Sequence, residues 1–418
     1  MSDRTDETTE VDALSLFTGE HGDGTFPLFA RLRSRGAVVP LSGTAEGAGN
    51  GAWVVTRMAE AVQVLRDSAS FAVDARAVDP DHPFARMAAD STDATGFFTQ
   101  GGSMLTVDEP DHRRLRGLVS RVFTPRYMEG LRPRVQEIAD ELLDRVEGQG
   151  RMDVVEDYAY PLPINVISEM LGVPREDRTQ LRVWSEALAS GLGRRTEGIA
   201  AHMRAFAQYA ARLVADKRRH PADDLISMLV AVEEQGDRLS EPELLSMITL
   251  LIFAGHETTS NLIATGTLTL LDHPDQLERL AAEPGLVPAA IEELLRFNGP
   301  ATTTGPRFAR EDVEIAGRRI TRGDLVVVAL VSANHDETLF TEPDELDIAR
   351  RLDRHLAFGH GIHVCLGAPL ARLEGDVAFT TLLRRMPGLR LAVPRESITW
   401  HVALNSRRLA ALPVAFSS

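Results

Sequence analysis

The single cysteine of this 418-residue chain, Cys365, lies in Phe358-Gly359-His360-Gly361-Ile362-His363-Val364-Cys365-Leu366-Gly367, beside three glycines and two histidines. A thiol among imidazoles is metal-ligand chemistry. Glycine has no side chain, so this backbone can turn tightly and approach another group closely. Apolar Leu370, Leu373, Val377, Phe379 and Leu382-Leu383 predict a helix over Ala368 to Arg385, which puts Cys365 just before a helix N-terminus. Unpaired N–H groups and the positive end of the helix dipole there favour a thiolate, the form of sulfur that binds metal. Three uses of the thiol fit these residues: a small buried hydrophobe, a zinc ligand together with His355, His360 and His363, or a ligand to a flat cofactor lying against the backbone. No paired-cysteine spacing accompanies it, and the glycines exceed what a zinc loop needs.

Phe-Gly-x-Gly-x-His-x-Cys-x-Gly, as it stands at 358–367, resembles the heme-binding signature of the cytochrome P-450 monooxygenases, with Cys365 as the axial thiolate. In that family the sulfur pushes electron density toward iron and favours O–O cleavage. The resemblance implies heme b (iron protoporphyrin IX) and companion motifs elsewhere. His112 and Arg116, four apart on one helix face, match a clamp for one heme propionate; Arg307 matches the second propionate arginine, and His363 reaches a propionate too. Arg113 and Arg114 face elsewhere and are expected in an electron-donor docking patch.

Ala254-Gly255-His256-Glu257-Thr258-Thr259 is a poor helical sequence within a long helix. By resemblance it belongs to the family's central helix on the oxygen side, with Glu257 and Thr258 as the acid–alcohol pair. Cleaving dioxygen needs two protons in a site otherwise kept dry, so a hydroxyl and a carboxylate relay them. Ala254 and Gly255 are expected to leave room for oxygen, and His256 to be structural or pocket-lining. Glu293 and Arg296, three apart, resemble a buried family network joined by Arg350, all three structural. Phe84, Met87, Phe97, Phe98, Trp184, Leu188, Ala254 and Thr302-Thr303-Thr304 are the expected substrate-pocket positions.

The elements that must position these groups are legible in outline. Ser240-Glu241-Pro242-Glu243 is a capping box with proline in the first turn, and no further proline interrupts the chain until Pro274, so a helix of about 45 Å follows at 1.5 Å per residue. Helices are also expected at Pro27–Arg35, Ala59–Arg66, from about 108, at 129–147, near Ile164–Leu171, and as a pair over 176–219 broken near Gly191-Leu192-Gly193, a lid in the resembling family. Strands are expected at Trp53–Thr56, around Val313-Glu314-Ile315 and at Leu325–Val331; 72–103 reads as a long loop with apolar anchors. The fold expected is mainly α with a small β region, the cytochrome P-450 fold, with residues 1–12 a disordered tail and 13–418 a single domain.

Composition narrows the partners. A net charge of −16 and pI near 5.3 argue against nucleic acid and anionic membranes. No stretch reaches the roughly 18 apolar residues of a membrane span; Leu244–Ala254, the longest candidate, is interrupted by Ser246 and Thr249. The polar N-terminus and lone cysteine suit a reducing, cytoplasmic location. No Gly-x-Gly-x-x-Gly follows a strand, so electrons are expected from a separate ferredoxin or flavodoxin with its NAD(P)H reductase. The expected reaction is hydroxylation or epoxidation of a medium-to-large apolar small molecule, a polyketide, macrolide or other secondary metabolite, by a monomer. The alternatives are a peroxide-driven enzyme of the same fold and a non-catalytic heme or zinc protein.

Overall fold

The computed structural model describes residues 25–41, 51–90, 102–191, 197–232, 238–403 and 405–417. The expected N-terminal tail lies outside these. The chain opens with α1 (Thr25–Arg35), β1 (Val38–Pro40), β2 (Ala52–Val55), α2 (Met58–Arg66), β3 (Phe71–Ala72) and α3 (Pro83–Asp90). Helices α4 (Asp111–Ser120), α5 (Pro125–Gly130) and α6 (Arg132–Asp144) lead to β4 (Arg151–Asp153) and α7 (Pro161–Met170). The pair α8 (Arg178–Gly191) and α9 (Glu197–Arg219) follows, then α10 (Leu225–Ala231), α11 (Glu241–Asp272), α12 (Pro274–Ala282) and α13 (Val287–Asn298). Strands β5 (Arg307–Ala309), β6 (Val313–Ile315), β7 (Arg318–Ile320) and β8 (Leu325–Val328) precede α14 (Leu330–Ala333) and α15 (Ala368–Arg385). The chain closes with β9 (Arg390–Leu391), β10 (Trp400–Ala403), β11 (Ser406–Leu409) and β12 (Pro413–Ala415).

Local chemistry explains α11. The Ser240 N–H donates to Glu243 Oε2 at 2.8 Å and Pro242 occupies the first turn, the two features of the expected capping box. Glu243 also pairs with Arg114, which ties the helix start to α4. Within the helix, Thr249, Ser260, Thr267 and Thr269 each donate to the carbonyl four residues back at 2.7–2.8 Å, so hydroxyls that would compete with a helix are satisfied inside it. Its length, about 48 Å at 1.5 Å per residue, carries it through the main core. Glycines set its neighbours' distance. A Cβ on Gly266 would meet Phe379 Cζ of α15 at 2.7 Å, and one on Gly255 would meet Ile167 Cγ1 of α7 at 2.9 Å.

The β region is small. A five-stranded sheet runs β1-β2-β8-β5-β3, with β2 and β8 parallel and the other pairs antiparallel; β10 and β11 form a hairpin. Two expectations need correction. The loop over 72–103 contains α3, because Pro83 opens a short helix that seats Ala85 beside Phe308. The strand expected through Val331 stops at Val328, and the chain turns into α14 to place Asn334 beneath the cysteine loop. No helix among the described residues is long and apolar enough to cross a membrane.

One core group is unusual. Glu374 of α15 is fully buried in the core. Burial pushes its pKa up to about 8, offset only in part by the Thr259 hydroxyl of α11. The folded form thus holds a proton that the unfolded chain gives up at the ordinary 4.5, and stability falls as pH rises between those values. Thermal unfolding at pH 5 and pH 8 checks this: the midpoint should fall less across that interval in Glu374→Gln than in the unaltered protein.

Candidate active site

The cysteine loop is held by its own backbone. The Cys365 N–H donates to the Phe358 carbonyl at 2.9 Å, and Gly359 and Gly361 take φ of +68° and +74°. Gly361 admits no side chain, since a Cβ there would lie 2.0 Å from the Leu65 carbonyl oxygen at the end of α2. Its close approach is to this chain's own backbone, whereas the sequence pointed to a cofactor. Cys365 is accessible, with protein packed around the rest of it and α15 starting three residues later. Burial pushes the free thiol up; the N–H groups of Gly367 and Ala368 and the Arg116 guanidinium pull the other way. The helix start alone therefore does not make a thiolate, and coordination to a metal, which takes the deprotonated sulfur, would supply the difference.

Four basic side chains from three parts of the chain converge beside this loop. His112 and Arg116 come from α4, Arg307 from β5 and His363 from the loop, with the His112 and His363 ring centroids 4.1 Å apart. Burial pushes the His363 pKa down to about 3, helped by His112, Arg307 and Arg116, so its ring is neutral near pH 7. Burial likewise lowers His112 and Arg307. His363 Nε2 and Arg307 Nε are buried without a hydrogen-bond partner. Such orphaned donors are costly unless an anion meets them. A pair of carboxylates, as on a heme, fits this set.

The middle of α11 presents a second set of groups. Ile252, His256, Glu257, Thr259 and Ser260 are buried, whereas Ala254 and Thr258, one turn apart, are exposed. The Thr258 hydroxyl donates to the Ala254 carbonyl at 3.2 Å. Glu257 lies 3.9 Å from Arg408 of β11, a partner the sequence reading missed because nothing local links 257 to 408. His256 is structural: Nδ1 meets the Ile252 carbonyl at 2.7 Å and Nε2 the Tyr160 hydroxyl at 3.3 Å. Gly255 faces Ile167 tightly, so its small size serves the packing of α7.

On the other side of the loop the expected network is present. Arg296 binds Glu293 through two bonds of 2.7 and 2.8 Å, both side chains fully buried, and Arg350 reaches Glu293 at 3.1 Å. Glu292, which drew no attention in the sequence, holds Arg372 by bonds of 2.6 and 2.9 Å and His355 at 2.9 Å. His355 is thereby engaged away from Cys365, and among the described residues no group of three or more His, Cys, Asp or Glu could hold a metal ion such as zinc.

The expected pocket positions are mixed. Phe84 packs on Phe308, ring centroids 5.4 Å apart. Trp184 is buried against Phe206 and Tyr209, joining α8 to α9. Thr302 N–H donates to the Asn405 carbonyl, Thr304 Oγ1 accepts from Val328 N–H, and the Thr303 hydroxyl is buried without a partner. Met87 lies on α3 and Leu188 on α8, but their side chains, like Phe97 and Phe98, fall outside the described residues.

Comparison with known proteins decides what this arrangement is. Residues 150–388 match the family model "Cytochrome P450". Cytochrome P450 CYP107DY1 of Priestia megaterium is 47% identical over 370 residues, covering 87% of this chain and 90% of that protein. The chain belongs to the cytochrome P450 family. The polyketide biosynthesis cytochrome P450 PksS of Bacillus subtilis is 46% identical over 314 residues, covering 75% of this chain and 78% of that one. The tirandamycin C-bound structure of the P450 monooxygenase TamI superposes with a TM-score of 0.85 at 38% identity, covering 97% of this chain and 99% of that chain. This P450 is thus a monooxygenase of mainly α fold, and its cofactor is heme.

A charge-assisted hydrogen bond contributes about 1.5–3 kcal/mol, so losing one weakens binding roughly tenfold or more. Arg307→Gln should therefore release heme to an excess of apomyoglobin about tenfold more readily than the unaltered protein, with helical circular dichroism unchanged.

Proposed function

We propose that this P450 oxidises a medium-to-large apolar small molecule of the polyketide or related secondary-metabolite class, using Cys365 as the axial ligand and electrons from a separate ferredoxin or flavodoxin with its reductase. Ala254 and Thr258 carry this reading: they are open in the middle of a helix where Ile252, His256, Glu257, Thr259 and Ser260 are buried. An exposed hydroxyl there has no packing purpose. The substrate class rests on one relative named for polyketide biosynthesis and on a similar structure bound to tirandamycin C.

Bound heme would supply O–O cleavage at a thiolate-ligated iron. His112, Arg116, Arg307 and His363 would hold its two propionates, relieving the orphaned donors described above. The chain's own work is then to exclude water and to move protons. Adjacent residues on a helix point about 100° apart, so Glu257 and Thr258 look in different directions: the carboxylate toward Arg408, the hydroxyl toward the open side. In this reading Glu257 draws protons from solvent on the Arg408 side and delivers them through water to the open side of the helix. The Thr258 hydroxyl, whose bond to the Ala254 carbonyl is long at 3.2 Å, would orient that water and the acceptor by hydrogen bonding and would keep its own proton count unchanged.

Two measurements test this. Dithionite-reduced protein with carbon monoxide should show the strongly red-shifted Soret band of thiolate ligation; a band typical of histidine ligation would remove Cys365 from its role. In Thr258→Ala, oxygen uptake with redox partners should persist while product per NAD(P)H falls roughly tenfold or more, in line with the loss of a proton-transfer group, and peroxide rises. Unchanged coupling would end the relay assignment.

A further inference from the structure

The cysteine loop is clamped by charges that neither the propionate cluster nor the proton path uses. Glu292 of α13 reaches both neighbouring segments at once: its Oε1 accepts from Arg372 Nε at 2.6 Å, and its Oε2 from Arg372 Nη2 and His355 Nε2, each at 2.9 Å. The Arg372 guanidinium lies 4.5 Å from the centroid of the Phe358 ring, and it is the Phe358 carbonyl that accepts the Cys365 N–H at 2.9 Å. Arg372 stands on α15 seven residues beyond the cysteine, close enough that its charge and the sulfur act on each other.

We propose that Arg372 and Glu292 are positioning residues that set how readily the Cys365 site accepts an electron, Arg372 favouring the reduced state and Glu292 offsetting that charge while fixing where it stands. Charge carries the argument. A cation near the site stabilises an added electron, and an anion opposes it. Two-pronged binding holds the guanidinium beside the Phe358 ring, so its distance from the sulfur does not drift as a freely moving arginine's would. Glu292 is held ionised well below the ordinary carboxylate range, at about 2, against its burial and by Arg372 and His355, so the pair stays charge-balanced throughout neutral pH. The adjacent Glu293 turns the other way, to Arg296 and Arg350, and leaves Glu292 as the carboxylate bound to Arg372. Both partners are partly exposed, with side chains 43% and 29% accessible, so salt should weaken the effect.

This inference rests on Cys365 being the heme ligand, which the carbon monoxide spectrum of the unaltered protein tests separately. The midpoint potential of the substrate-free, heme-loaded protein, measured by spectroelectrochemistry, tests the inference itself. Glu292→Gln leaves Arg372 unbalanced and should shift the potential upward; Arg372→Gln leaves Glu292 unbalanced and should shift it downward. The double variant should fall between them, and high salt should shrink both shifts. If a single variant fails to take up heme, Glu292→Asp and Arg372→Lys replace the pair: each keeps its charge but loosens the fork, and each should leave the potential near that of the unaltered protein, whereas a salt-insensitive shift would mean that only loop geometry matters. Shifts of one sign in both neutral variants, no shift in either, or a salt-insensitive shift in the charge-keeping pair would overturn the proposal and leave the clamp a purely structural brace.

Discussion

The fully buried pair of Glu293 and Arg296 is the contact on which presentation of Cys365 depends. Arg296 also donates to the carbonyls of Asn334 and Pro343, and the Asn334 side-chain oxygen accepts the Leu356 N–H at 2.7 Å. From Leu356 the backbone steps to Gly359, and from Phe358 to Cys365, each by a further hydrogen bond. An ion pair on α13 is thus connected to the Cys365 backbone through four hydrogen bonds. Removing one partner of such a pair strands a buried charge at a cost of about 3–5 kcal/mol, so both residues are constrained together.

Against an overall charge of −16, the local excess of base around His112, Arg116, Arg307 and His363 stands out. The protein keeps His112 and Arg307 buried and Arg116 and His363 half-buried, with neutral imidazoles and two guanidiniums whose desolvation works against their charge. That is a state a chain tolerates when a dianionic group completes it. The acids nearest the cluster, Asp108 and Glu109, do not supply the balance: Asp108 accepts from the Val73 and Asp74 N–H groups and Arg310, and Glu109 pairs with the exposed Arg113.

The central helix resolves two opposing demands. The proton path proposed for its middle places Thr258 and Gly255 there, and threonine and glycine weaken helices. Continuity comes from hydroxyls returned to the helix's own carbonyls and from close packing at Gly255 and Gly266, which lets α7 and α15 brace it on two sides. The cost of a buried acid is placed elsewhere, at Glu374 on the α11–α15 contact.

By itself the sequence determined whatever depends on near neighbours. The helix after Cys365, the capping box at Ser240, the strand near Trp53 and the spacing of Glu293 to Arg296 are all set by residues within a turn or two, and periodicity exposes them. Only the tertiary structure decided the rest. That Gly255 serves Ile167 and Gly361 serves Leu65, that Trp184 joins α8 to α9, that Arg114 pairs with the start of a distant helix, and that Glu292 meets Arg372 and His355 all follow from how separated segments pack. No local pattern encodes such meetings, because the free energy that selects them comes from burying whole faces of elements at once, and any one contact is a small part of that sum.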